Sequence, residues 1–405
     1  MRIGIGNTTT TLQGKGSFPG IITEWTVGAG ETITLHGQDG GNYLFDVDWG
    51  DGTEDTGLTT NSETHTYASA GTYEVKILGQ FAGFKFFSAS AADRQKLTSF
   101  VQWGTETVIE GLLGMFRGCS NMTYLATDTP TINLNPAVTL YNSAERMFES
   151  CSAITYLDVS QWVINGGPLI YLANAFRQLR NCEYLNVSNW DLSGFQPVAS
   201  AGLSSFMEAA GADTVNGCDI LFPSGQCNFY TCSGMFFYAK IKSLVFEPEF
   251  IRSGVTIGNC FLFAEFTDST VVDLTNVTGT SNIESMGGMF QGSNVTELNV
   301  SNWDFSNVGN MNNFFRDNTT LTNIDFPSSA DYSSLTLAYN MVTTGASITT
   351  AEYDNLLIRL DTTGQKGGTY GLNAGDSTYT GGGAAATARA NLVAGGWAIT
   401  DGGIA

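Results

Sequence analysis

The chain is poor in the groups that most enzymes and nucleic-acid binders depend on. Of 405 residues only 17 are Lys or Arg and two are His, against 38 Asp or Glu, a formal net charge of −21. So acidic a surface repels polyanions and argues against an electrostatic grip on nucleic acid or on an anionic membrane, while it favours plain solubility. The two histidines, His36 and His65, lie far in sequence from any cysteine. There is no G-x-S-x-G elbow, phosphate-binding loop or H-E-x-x-H, and nothing among the carboxylates singles out a pair for glycoside cleavage. No enzymatic activity is expected. No stretch approaches 18 consecutive apolar residues, which argues against membrane insertion. The opening Met1-Arg2-Ile3-Gly4-Ile5-Gly6 has neither a sustained apolar run nor a cleavage pattern, so no signal peptide is expected. No C-x-x-C pair exists, so a structural zinc site is not expected. The seven cysteines are odd in number and Cys119 and Cys151 share a repeat position, which points to a buried thiol column and not to a disulfide framework.

What is present is a folded composition, 42% apolar with 26 Phe, 15 Tyr and 48 Gly, and a strong internal repeat. Phenylalanines ending a short apolar turn recur at Phe116, Phe148, Phe176, Phe206, Phe236, Phe263, Phe290 and Phe315, separated by 32, 28, 30, 30, 27, 27 and 25 residues. Eight or nine residues after most of them stands a strand-like Leu125, Leu157, Leu185, Leu244, Val272, Leu298 or Ile324. Met115-Phe116-Arg117-Gly118-Cys119-Ser120 returns as Met147-Phe148-Glu149-Ser150-Cys151-Ser152, and Leu157-Asp158-Val159-Ser160-Gln161-Trp162 as Leu185-Asn186-Val187-Ser188-Asn189-Trp190 and Leu298-Asn299-Val300-Ser301-Asn302-Trp303. A period of this length marks a solenoid of stacked units, none of which buries its apolar face alone. These units resemble the BspA-like leucine-rich repeats, the Mycoplasma-lipoprotein-type surface repeats. The resemblance implies a parallel β-ladder with short helices or turns behind it, in a bacterial surface protein or a phage virion protein. It is loosest between Phe206 and Gly234, where Val215-Asn216-Gly217-Cys218 replaces the expected strand.

Before the repeats, Ile21–Val27, Thr32–Leu35, Tyr43–Trp49 and Tyr73–Leu78 alternate apolar and polar residues between Gly or Asp turns, as strands of a small β-sandwich do. Val47-Asp48-Trp49-Gly50-Asp51-Gly52-Thr53, then His65-Thr66-Tyr67 and Gly71-Thr72-Tyr73-Glu74-Val75, resembles the PKD domain, an immunoglobulin-like module used as a spacer or adhesion unit. The expected fold is therefore mainly β with short helices: an N-terminal Ig-like β-sandwich, a leucine-rich-repeat solenoid and a C-terminal α/β cap. The expected divisions are a polar, Gly-rich N-terminal attachment arm (1–20), the sandwich (21–82), a joining segment and solenoid cap (83–110), the solenoid (111–330) and the C-terminal cap (331–405). Helices are expected from the capping box Thr349–Glu352 through Leu360 and over Ala384–Ala394, with a last strand at Trp397–Thr400.

Two places suggest a ligand. Strand alternation that turns Leu157 inward turns Tyr156 and Asp158 outward, and likewise exposes Tyr124, Tyr184 and Asn186, so Tyr124, Tyr156 and Tyr184 are expected to form a ladder on the sheet surface. Stacked aromatics with polar tips suit a sugar face or a partner protein, or simply shield the sheet. In the sandwich, Asp46, Asp48, Asp51 and Asp55 form a dense carboxylate turn whose hard oxygens are candidates for Ca²⁺, or merely a solvated turn. No other cofactor is expected. The functional expectation is a non-enzymatic virion-surface adhesion protein of phage fibre or receptor-binding type, showing a repeat face to a host glycan or surface protein. The alternatives are a capsid or tail decoration protein without a ligand and a secreted bacterial adhesin. Expected partners are other virion proteins through the N-terminal arm, the host ligand, and further copies of the chain.

Overall fold

The structure is a computed structural model and describes residues 18–135, 143–165, 171–195, 202–368 and 370–405. Most of the expected attachment arm therefore lies outside the described residues. The chain divides into two compact units, residues 1–184 and 185–405.

The first unit opens with the sandwich. β1 (Ile21–Val27), β2 (Thr32–His36), β3 (Tyr43–Asp48), β4 (Glu54–Leu58), β5 (Ser62–Thr66) and β6 (Gly71–Phe81) follow one another, with β2 and β5 forming a separate antiparallel pair. The inward residues of the alternating strands, among them Trp25, Ile33, Phe45, Val47, Val75 and Ile77, are buried. Gly50 lies at φ +78° with Glu74 O only 2.5 Å from where a Cβ would stand, so the Trp-Gly-Asp-Gly turn has room for glycine alone. β7 (Leu97–Gln102) follows the one-turn helix α1 (Ala91–Lys96). It pairs antiparallel with β1 on one edge and parallel with Thr123–Tyr124 of the first repeat on the other. One six-stranded sheet thus runs from sandwich into solenoid through β7, and the segment expected to join two parts is the strand they share.

Glu110 reinforces this junction. Its buried carboxylate accepts hydrogen bonds from the Asn42 side chain at 2.9 and 3.0 Å, from Gln80 at 3.3 Å and from Asn135 at 3.2 Å. Sandwich and repeat amides thereby satisfy one buried anion.

The turn side of each repeat has a regular hydrogen-bond scheme. The N–H of Phe116 donates to Met147 O of the next coil at 2.8 Å, and those of Gly114 and Gly118 donate to Glu145 O and Glu149 O, while the residues between them close three-residue turns within their own coil. This alternation requires left-handed backbone two residues before and two after the central apolar residue. Gly114 and Gly118 supply it in one coil, Arg146 and Ser150 (φ 58° and 61°) in the next, and Asn174 and Gln178 (φ 60° and 59°) in the one after. A non-glycine residue there costs roughly 1–2 kcal/mol, which the inter-coil bonds and the apolar core offset. Phe116, Phe148 and Phe176 stack behind these turns at ring separations of 5.3 and 5.8 Å.

The same scheme in the second unit corrects two of the repeat landmarks. The central positions there are Met207, Phe236, Phe261, Phe290 and Phe315, as the bonds Met207 N–H to Met235 O, Phe236 N–H to Cys260 O and Phe261 N–H to Met289 O show. Phe236, Phe261, Phe290 and Phe315 stack at 5.0, 5.0 and 5.2 Å with rings within 11° of parallel. Phe206 is displaced by one residue from that column. Phe263 instead occupies the left-handed site (φ 53°), is 37% exposed, and stacks on Tyr238 of the preceding coil at 5.3 Å. Spacing alone could not distinguish these neighbours. In the loosest stretch of the repeat the strand is Cys218–Leu221, with Ile220 buried.

Beyond Asp331 the stacking continues. Ala338–Val342, Tyr370–Ala374 and Trp397–Thr400 form a parallel three-stranded sheet backed by α2 (Thr350–Thr363) and α3 (Ala384–Ala394). The Thr349 hydroxyl caps α2 by accepting the Glu352 N–H, and Tyr353, Leu356, Leu357 and Leu360 are its buried face. The Gly-rich passage from Gly364 to Gly383 holds strands that its composition concealed. Arg389 of α3 grips the nearly buried Asp401 at 2.7 and 3.2 Å, and Tyr353 of α2 donates to the same carboxylate at 2.7 Å. All seven cysteines are buried, Cys119 and Cys151 in one column and the others elsewhere. Burial pushes the Cys119 and Cys151 thiols well up, so neither forms thiolate at neutral pH.

Two experiments test this framework. Phe261→Ala is expected to cost about 3–5 kcal/mol in urea unfolding, whereas Phe263→Gly, which trades a ring stack for relief of a left-handed residue, stays within about 1 kcal/mol of wild type. Equal losses would restore the spacing-based register. The second concerns Glu149, whose nearly buried carboxylate is held by Arg117 at 2.7 Å, Arg177 at 3.1 Å and Arg146 at 3.2 Å. Burial pushes its pKa up, but the three guanidiniums outweigh burial and hold it below the usual carboxylate range. A depressed folded pKa contributes stability that is present above the unfolded value and lost as pH falls through the folded value. Glu149→Gln is therefore expected to destabilise by on the order of 3 kcal/mol at pH 7, with the gap to wild type closing below the ordinary carboxylate range. A gap independent of pH would contradict the assignment.

Candidate functional site

The expected tyrosine ladder has two rungs. Tyr156, 57% exposed, stacks on Tyr184 at 4.6 Å and 7°. Tyr124 does not join them. Its strand pairs in the register Ser99↔Thr123 and Phe100↔Tyr124, so Tyr124 inherits the inward position of Phe100 and stacks on that ring at 5.7 Å. Its hydroxyl accepts the Trp103 indole N–H at 2.8 Å, and desolvation pushes its pKa up. Leu125, expected inside, is 56% exposed. Asn186 also departs from expectation: it is buried, and its Oδ1 accepts the Ser188 N–H at 3.0 Å.

The reversal at Tyr124 has a consequence. The sheet that runs through β7 ends at Thr123–Tyr124, and Tyr156–Asp158 opens a different sheet. Where the ladder is interrupted, a cleft of about 300 Å³ lies between Leu125, Thr127 and Asp128 on one side and Tyr156, Asp158 and Gln161 on the other. Asp128 is fixed by the Trp103 and Gly104 N–H groups at 3.0 and 2.7 Å, and Asp158 by the Ser160 N–H at 3.0 Å. Trp162, buried, meets Trp103 edge-on at 5.4 Å beneath the cleft. Three of the five sequence-derived binding residues, Tyr124, Tyr156 and Asp158, therefore line one cleft, and Leu125, Asp128 and Gln161 join them. The signal for Leu125 and Asp128 was the segment 125–130, which falls in the longest interval between landmark phenylalanines.

The carboxylate turn of the sandwich does not converge on a point. Asp46 accepts the Gly57 N–H at 2.7 Å, Asp48 the Gly50 N–H at 2.9 Å and Asp55 the Trp49 indole N–H at 2.8 Å. Asp51 accepts from Thr53 and pairs with His65 at 2.8 Å. Burial raises the Asp51 pKa, but its bonds to Thr53 and His65 outweigh that and hold it below the usual range. Among the described residues no three His, Cys, Asp or Glu gather as metal ligands. His65 itself stacks on Trp49 at 4.8 Å and meets Tyr67 edge-on, a packed sandwich residue.

Residues 23–80 match the sequence profile of the PKD domain, and residues 261–352 match that described as Mycoplasma protein of unknown function, DUF285. A PKD domain precedes DUF285 repeats. No curated protein and no solved structure matches the chain significantly. The two profiles fall where the sandwich motifs and the Met-Phe repeats suggested them. Millimolar calcium and then chelator are expected to leave the midpoint of thermal unfolding unchanged. A calcium-dependent rise would show that Asp46, Asp48, Asp51 and Asp55 rearrange to bind.

Proposed function

We propose that this is a non-enzymatic surface protein of adhesion type, whose first repeat cleft holds a glycan of the surface it recognises. The observation that carries the reading is the exposed Tyr156 ring, stacked on Tyr184 and set beside fixed carboxylates and an amide. A flat aromatic packs against the apolar face of a sugar ring, while Asp128, Asp158 and Gln161 supply acceptors and donors for its hydroxyls. The non-enzymatic part is supported by the packing of His65, which stacks on Trp49 and pairs with Asp51 at 2.8 Å. The sheet shared through β7 supports a rigid spacer role for the PKD domain, which serves a decoration protein as well as an adhesin.

The setting we propose is a virion surface, with residues 1–20 as the attachment arm to other virion proteins and the host glycan as ligand. A bacterial cell surface is the other setting that the resemblance implies. Glycan-array and host-cell binding by the isolated chain tests the reading. Tyr156→Ala is expected to weaken binding at least tenfold without loss of fold. A folded wild type that binds no glycan and no host cell would leave the decoration role in its place.

A further inference from the structure

A second interruption of the ladder lies in the second unit, and its chemistry differs from the first. Lys240–Val245 is six residues long, yet only Lys240 and Ile241 pair with the following coil, at Glu265 and Phe266. There the ladder stops. The chain bulges through Asp268 and Ser269, and Val271–Asp273 begins a new sheet as its edge strand, paired only with Glu297–Asn299. Registered on Phe261, this coil reaches Val272 after 11 residues, where the coils of Phe236, Phe290 and Phe315 allow eight or nine. Between the edges Ser243–Val245 and Val271–Asp273 lies a cleft of about 290 Å³ floored by Phe246, Phe266 and Leu274. Val271 is 51% exposed at its lip.

We propose that this cleft accepts an extended, basic polypeptide segment of a partner protein, added as a β-strand. Two strand edges facing one gap, not paired with each other, offer main-chain donors and acceptors to a strand, which at Val271 displaces the Ser269 hydroxyl now bonded to its N–H and C=O. The apolar floor takes the one side chain that alternation turns inward. The charge of the guest follows from the rim. Asp268 and Asp273 are exposed there, Lys242 is already bound to Asp219 at 2.9 Å, and the chain carries −21 in all. No exposed aromatic faces this cleft, unlike the first, where the paired strand is only two residues long and a tyrosine forms the wall.

The test is calorimetric titration of the full chain with a capped hexapeptide of alternating valine and lysine. Two controls accompany it: the valine–glutamate counterpart, and a valine–lysine peptide N-methylated at alternate residues, which keeps its charge and loses main-chain donors. The proposal expects binding of the first peptide, at least tenfold weaker binding of the N-methylated one, and none of the acidic one. The surface variant Val271→Trp, which fills the cleft, is expected to abolish binding with unfolding unchanged. Asp268→Lys with Asp273→Lys reverses the preference between basic and acidic peptides. Equal binding of the N-methylated peptide, undiminished binding by Val271→Trp, or no binding by the folded wild type would each overturn the proposal.

Discussion

All but one of the repeats described share one arrangement: a phenylalanine ring, stacked on its counterpart in a neighbouring coil, behind a turn whose alternate N–H groups reach across to the next coil. Parallel rings about 5 Å apart match the strand spacing of a β-ladder, so the turn side and the sheet side advance at one pitch. The left-handed residues flanking each ring are the cost of this match. Glycine meets it freely, Asn and Ser at modest strain, and Tyr238 and Phe263 at more. Those two rings recover part of that strain by stacking on each other over Gly292, where a side chain would collide with Phe263.

Regularity on the turn side leaves the sheet side free to vary. At both described breaks the rings still stack while the ladder stops. Each described break opens a cleft over buried apolar side chains of its own coils. A solenoid with unbroken ladders presents a flat surface, and concavities are where a ligand is surrounded. The function proposed for this chain therefore resides in departures from its repeat, in keeping with the general rule that function is placed on a fold locally.

How much could be read from the sequence follows the same division. Strands that alternate cleanly, such as Ile21–Val27, were legible to the residue, while Glu54–Leu58 and Ser62–Thr66 were not, because almost none of their side chains is apolar. The capping box at Thr349 located α2. Repeat landmarks were legible except at Phe206 and Phe263, where Met207 and Phe261 take the central position. Of the seven strand landmarks, the two that fail to bury fully, Leu125 and Leu244, both stand at a break. No pattern of residue types announces a break, since it depends on pairing register between coils. The carboxylate turn shows a related limit: composition places acidic residues together, but only the backbone shows that Asp46, Asp48 and Asp51 each accept a different N–H group.

The central claim, that the ladder is interrupted at defined coils while the ring stack continues, is tested most directly by residue-resolved amide hydrogen exchange on the free protein. Strand Glu297–Asn299, paired on both sides, is predicted to exchange slowly, and Ser243–Val245 and Val271–Asp273 to contain amides exchanging orders of magnitude faster. Uniform protection across these strands would mean an unbroken ladder without clefts, and would contradict the account.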